Sequence, residues 1–235
     1  MQESTARLSR RGLILGLAVL TTSCATASKR IAPVATVGPR ELAVPVEPLA
    51  MPPVPAQASV TLDPKGLIRK DLLDQAMAAF DRHGGRIAVK DEIYLVDFQR
   101  HSSLERLYRL NLKTGEVEAW RTAHGRGSDP AHTGFARRFS NVKDSGESSI
   151  GAYLTAGQSS GAKHGPNVLL DGLDPTNNEA RDRAIIVHAA DYCEPSYLKS
   201  QGKLGRSLGC FALSEADLRT LRPMLDAGRL LFASA

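Results

Sequence analysis

Seven prolines crowded between positions 33 and 55 restrict this chain's folding options more than any other feature. They stand at 33, 39, 45, 48, 52, 53 and 55, in a stretch otherwise rich in Ala and Val. Each fixes its own φ and removes a backbone donor, so a run this dense builds neither a helix nor a central strand. Residues 28–60 therefore read as an extended Pro/Ala-rich tether. Folded sequence is expected over 61–235, long enough for one domain with a sizeable core. No internal repeat is visible.

Residues 1–27 read as an address. Arg7, Arg10 and Arg11 lead into an uncharged run whose apolar heart is Leu13–Leu20. That heart is too short to span a bilayer, which takes about 20 apolar residues, and fits the h-region of an export signal. Ser9-Arg10-Arg11-Gly12-Leu13-Ile14 resembles a twin-arginine signal. Two endings stay open. Thr21-Thr22-Ser23-Cys24 resembles a lipoprotein box with Cys24 as the lipidation candidate, and Ala25-Thr26-Ala27 fits ordinary cleavage. Either ending puts the mature chain outside the cytoplasmic membrane, in the periplasm or anchored to the envelope. A lipid on Cys24 would be its one membrane attachment.

Composition then removes whole classes. Hydrophobic residues at 42% with charged residues at 23% exclude an integral membrane protein and a wholly disordered one. Net charge is +5, but residues 61–235 carry 24 basic against 22 acidic side chains, nearly neutral. A nucleic-acid binder concentrates basic charge on its folded domain. No nucleotide-binding loop suggests a cofactor, and none is expected.

The pattern along 61–235 is mainly β with flanking helices. Asp63-Pro64 resembles a helix start; Leu73, Met77 and Phe80 follow at helical spacing, and Gly84-Gly85 stops the run. Short strand-like runs cover 87–89, 93–98, 107–110, 117–123, 149–154, 168–170, 184–188 and 230–232, with loop-rich sequence over about 125–165. Ser214 opens an N-cap pattern before Leu218, Leu221 and Leu225.

Chemistry concentrates near the C-terminus. An exported protein makes a disulfide the default for Cys193 and Cys210. Cys210, however, ends Gly205-Arg206-Ser207-Leu208-Gly209-Cys210, where glycines allow tight turning and Arg206 adds a charge that favours thiolate. His188 ends the apolar run 184–187 and is placed to serve as base. On these residues alone, a structural His and a disulfide compete with a Cys–His pair. Cys193 reads as a small packed side chain, Trp120 as core, and His132 and His164 as solvated loop residues. His124 is open between lining a cleft and holding a turn. A zinc site drawn from His124, His164, His188, Cys193 and Cys210 lacks any close ligand pair, so no metal is expected.

Ile185–Tyr192 and Gly205–Cys210 together resemble the active site of the murein L,D-transpeptidases, and more closely their YkuD_2-type branch. Leu107–Gly115, Ala123-His124-Gly125, Phe139-Ser140-Asn141 and Glu147–Gly151 resemble further landmarks in order, so the likeness covers roughly 66–233. It implies an L,D-transpeptidase-like β-sandwich or barrel acting on peptidoglycan stem peptides. It further implies Cys210 as nucleophile, a thioester formed with loss of D-Ala, and His188 as general base and acid. A neighbouring stem's amine would resolve the thioester as a 3→3 crosslink. The Gly209-Cys210 turn is the expected source of oxyanion donors. Arg206 is a candidate for a substrate carboxylate, Ser207 for the turn or the substrate, and Tyr192 and His124 for substrate support.

There are departures. Leu208 stands where the wider family often has His, Phe211 where this branch often has Pro, and Ala189 where Gly is usual. Ala212 and Leu213 replace a basic residue after the nucleophile, which leaves a substrate carboxylate to Arg206. Two rivals remain: an L,D-carboxypeptidase, in which water resolves the same thioester, and a non-catalytic murein-binding lipoprotein.

Overall fold

The computed structural model describes residues 60–235; the export, lipidation and tether expectations, with Cys24, lie outside the described residues. Asp63 does not start a helix. Its carboxylate accepts the N–H groups of Leu67 and Ile68 at 3.0 and 2.7 Å, tying a turn instead, and helix α1 runs over Lys70–Arg82. Leu72, Ala76 and Ala79 form its fully buried stripe, while Leu73, Met77 and Phe80 lie half-buried beside it. Among the described residues no helix is long and apolar enough to cross a membrane.

Strands β1 (Glu92–Asp97), β2 (Leu107–Asn111) and β3 (Val117–Trp120) form an antiparallel meander. The two-residue β4 (His124–Gly125) follows, then a long hairpin, β5 (Gly151–Gly161) and β6 (Gly165–Gly172). Strand β7 (Ile186–Ala189) leads through a 3-10 turn at Asp191–Cys193 into helix α2 (Pro195–Gln201). Strands β8 (Arg206–Ser207) and β9 (Phe211–Leu213), helix α3 (Glu215–Leu221) and strand β10 (Leu230–Ser234) complete the order. Eight strands form one sheet in the order β3-β2-β1-β10-β5-β6-β7-β9, and β4 pairs with β8 alone.

The fold is thus mainly β with flanking helices. Its centre explains the continuous apolar runs: β1 and β10 pair in parallel and are buried on both faces. Ile93, Leu95, Leu230 and Phe232 face α1, whereas Tyr94, Val96, Leu231 and Ala233 face the second core with Tyr153, Val187, Phe211, Leu218 and Leu221. Alternation at period two therefore feeds two cores from one strand. The edges also meet. Just past β3, Ala123 N–H donates to the carbonyl of Ala212 in β9 at 2.8 Å, which gives the sheet its barrel-like closure.

Several expected boundaries shift. Residues 87–89 form no strand; Ala88 and Val89 give their N–H groups to the Gly228 carbonyl. The run at 117–123 stops at Trp120, which is half-buried against the core. Part of the expected loop over 125–165 is strand β5, bulged between Thr155 and Gln158, where Gly157 takes φ +94°.

Candidate active site

Strand β7 carries His188 at its third position, and β9 begins immediately after Cys210. The two strands run parallel, with Val187 opposite Phe211 and His188 opposite Ala212. Cys210 is therefore two residues along from the partner of His188, so the sequence-predicted residues sit on adjoining strand and turn of one sheet. Val187 and Phe211 lie in the core and anchor both strands there.

The turn before Cys210 is built by close packing. Gly209 has φ +121°, and a Cβ there would stand 2.7 Å from the Glu147 carbonyl oxygen and 2.9 Å from Ile185. Gly205 lies so close to the Tyr192 side chain that a Cβ would collide with it, and its N–H donates to the Tyr192 carbonyl at 2.7 Å. Ser207 staples the turn: its hydroxyl accepts the Gly209 N–H at 3.1 Å and donates to the Cys210 carbonyl at 2.8 Å. Ser148 donates to the Gly209 carbonyl at 3.3 Å while accepting the Gly125 N–H.

Cys210 is 8% exposed, and its thiol donates to the Ala184 carbonyl at 3.5 Å. Burial pushes this thiol up from its ordinary value, against the Ile186 N–H and the charges of Arg183 and Lys163. The expectation of a thiolate favoured by Arg206 is therefore corrected: Arg206 donates to the carbonyls of Asp129 and Pro130, and burial outweighs the cations that do act on the thiol. His188 is 2% exposed, and burial, with His164 and Lys163 adding to it, holds its imidazole below the ordinary range. Its Nδ1 lies 2.8 Å from the Ala189 carbonyl. A carbonyl only accepts, so Nδ1 carries the proton and Nε2 presents a lone pair. The resting pair is thiol and neutral imidazole.

His124 does not line a cleft. It is 1% exposed, with Nδ1 accepting from Arg106 at 2.8 Å and Nε2 3.4 Å from Asp129. Burial and Arg106 depress it to about 3, so it is a neutral bridge behind β8, opposite Arg206 in register. Arg106 itself is fully buried and donates to the Thr122 and Arg100 carbonyls.

Sequence reasoning missed three neighbours. Arg183 donates to the carbonyls of Ser140 and Glu147 and to the hydroxyls of Ser145 and Ser149, tying the 140–149 loop beside Gly209. His164, expected in solvent, stands on the β5–β6 turn with its ring centroid 4.2 Å from that of His188. Asn167 pairs with His188 across β6 and β7. No local pattern marks these positions: the hairpin brings His164 and Asn167 to His188, and Arg183 comes from the loop that leads into β7. His132 is half-buried and bonds the Leu204 carbonyl at 2.9 Å.

Cys193 and Cys210 are free thiols, and Cys193 packs with Ala123, Leu204 and Ala212. Among the described residues no group of three His, Cys, Asp or Glu side chains gathers as a metal site. Two cavities lie away from the pair. One of about 450 Å³ separates the Asp63–Leu67 turn from β2 and β3, and one of about 280 Å³ lies beside Asp174 and Gln75.

Residues 65–234 match the family model for the L,D-transpeptidase catalytic domain, YkuD_2. A search of curated protein sequences found no match. Similar solved structures include an L,D-transpeptidase from Mycobacterium smegmatis, at 14% identity and TM-score 0.38, covering 62% of this chain and 59% of that one. Another is from Mycobacterium tuberculosis H37Rv, at 15% and 0.40, covering 62% and 58%. A third, from Stackebrandtia nassauensis, stands at 16% and 0.38, covering 70% and 65%. The match spans less than two thirds of each of these chains. Since the family model covers most of its length, this chain belongs to the L,D-transpeptidase catalytic domain family.

Proposed function

We propose that the protein is a peptidoglycan L,D-transpeptidase that works through a Cys210 thioester. The observation that carries this reading is the register that sets Cys210, on its Ser207-stapled turn, two residues from the strand partner of His188, whose tied Nδ1 leaves Nε2 to take a proton. His188 removes the thiol proton as sulfur attacks the amide carbon between the diamino acid and the terminal D-Ala of a stem peptide. The C–N bond breaks, the proton passes to the departing amine, and the acyl group remains on sulfur. An acceptor amine then attacks the thioester, gives a proton to His188, and leaves Cys210 as the thiol.

Since the Gly209 N–H is held by Ser207, the oxyanion draws on the Cys210 amide. No metal or cofactor enters this scheme. Arg206, engaged by two carbonyls, is poorly disposed to a substrate carboxylate. The export address read in residues 1–27 supports the same setting, outside the cytoplasmic membrane where murein lies.

The test is incubation of the full chain and a Cys210→Ala control with disaccharide-tetrapeptide muropeptides, read by mass spectrometry. Cys210-dependent loss of D-Ala with a crosslinked dimer is the expected result. A bare tripeptide would assign carboxypeptidase activity instead. Unchanged substrate with a folded, alkylatable protein would overturn the enzyme reading and leave murein binding.

A further inference from the structure

One polar atom beside the candidate pair has no partner. Asn167 is 4% exposed, and its Oδ1 is the single buried side-chain nitrogen or oxygen among the described residues that forms no hydrogen bond. Its orientation is fixed: Nδ2 donates to the Gly165 carbonyl at 2.9 Å, and an amide oxygen has no hydrogen to give that carbonyl, so Oδ1 is the orphan. A buried acceptor left unpaired is costly and calls for an incoming donor. Asn167 stands opposite His188 in the antiparallel β6–β7 register, and residues so paired project to the same face of a sheet. The ring of His164, on the adjoining turn, packs against His188. Asn167 and His164 thus both flank His188 from the β5–β6 hairpin.

We infer that Asn167 Oδ1 is the hydrogen-bond acceptor for the amine that resolves the acyl-enzyme, making Asn167 a positioning and specificity residue for primary amines. A primary amine carries two N–H bonds. As its lone pair attacks the thioester carbon, one proton passes to His188 Nε2 and the other N–H donates to Asn167 Oδ1. The new C–N bond forms, the C–S bond breaks, and His188 returns the proton to sulfur. A secondary amine has one N–H, which His188 takes, and nothing remains for Asn167. The inference rests on acyl transfer through Cys210 but on no particular acyl donor.

The experiment uses p-nitrophenyl acetate to acetylate Cys210 in the full chain, with glycinamide and its N-methyl analogue sarcosinamide as competing acceptors. The wild type should favour glycinamide, and Asn167→Leu, which keeps the branched shape without a polar atom, should cut that preference about tenfold, the worth of one hydrogen bond. Asn167→Asp keeps the accepting oxygen and loses the donor to Gly165, so it should keep most of the preference. Alkylation of Cys210 by iodoacetamide should stay within about twofold in both variants, which confirms an intact nucleophile and fold. An unchanged preference in Asn167→Leu would overturn the inference. Equal losses in the Leu and Asp variants would also overturn it, since they would trace the effect to the Gly165 tie. If muropeptides lose no D-Ala, the murein reading fails while this ester assay still decides the role of Asn167.

Discussion

At Gly209 the chain combines a left-handed backbone with a 2.7 Å approach to the Glu147 carbonyl, leaving no room for a Cβ. Gly209→Ala should cost about 1–3 kcal/mol, as a strained non-glycine residue does, and displace Cys210. The check is a lower urea midpoint together with slower alkylation of Cys210. The thiol makes a second prediction. Burial raises it, so the alkylation rate should climb with pH through a midpoint above the ordinary thiol value. Arg183 acts against burial, and Arg183→Met should move the midpoint higher still. A midpoint below neutrality would mean a preformed ion pair and would overturn the thiol–imidazole resting state. Cys210 and His188 were legible in the sequence because a glycine-bounded Cys and a strand-end His carry local signals. His164 and Asn167 were not, since their nearness to His188 depends on how β5, β6 and β7 register, nor was Arg183, which reaches Cys210 through its bonds to the 140–149 loop.

Among the elements, α3 shows how little sequence is needed when a cap and a stripe agree. Ser214 Oγ accepts the Asp217 N–H at 3.1 Å, acidic Glu215 and Asp217 occupy the first turn, and Leu218 and Leu221 drop into the core. Ser214→Ala should cost about 1 kcal/mol, and Ser214→Asp should restore it; urea unfolding of the three proteins checks this. Strands β1, β2 and β10 were equally readable from their apolar content. Strand β9 is three residues directly after the motif that supplies the nucleophile, and β4 and β8 are two residues each, all too short for any period. Asp63-Pro64 misled because an Asp that caps two N–H groups makes a turn as readily as a helix. Residues 87–89 misled because apolar content is not pairing: their N–H groups go to a single loop carbonyl.

At the scale of the whole domain, the meeting of the sheet's edges buries a charge network that no local pattern announces. Arg106, His124 and Asp129 lie between the β3 exit and β8, satisfied by the Thr122 and Arg100 carbonyls and by the N–H groups of Thr133 and Gly134. Its stability depends on pH with a definite sign. His124 is held near 3 in the fold, below its ordinary value of 6.5. The unfolded chain therefore binds a proton that the folded one refuses, and stability is lost as pH falls below about 6.5. At pH 5 this group alone should cost about 2 kcal/mol. His188, also depressed, adds to the same loss. Asp129, Asp174 and Glu92, all lowered, add theirs only in the more acidic carboxylate range. Urea midpoints at pH 7.5 and 5.0 should therefore fall in the wild type well before the carboxylates titrate. His124→Gln should be less stable at pH 7.5, having lost its fit between Arg106 and Asp129, yet should fall less between the two pH values. Equal falls in both proteins would mean that His124 takes up a proton in the folded state, and the neutral bridge between Arg106 and Asp129 would have to be abandoned.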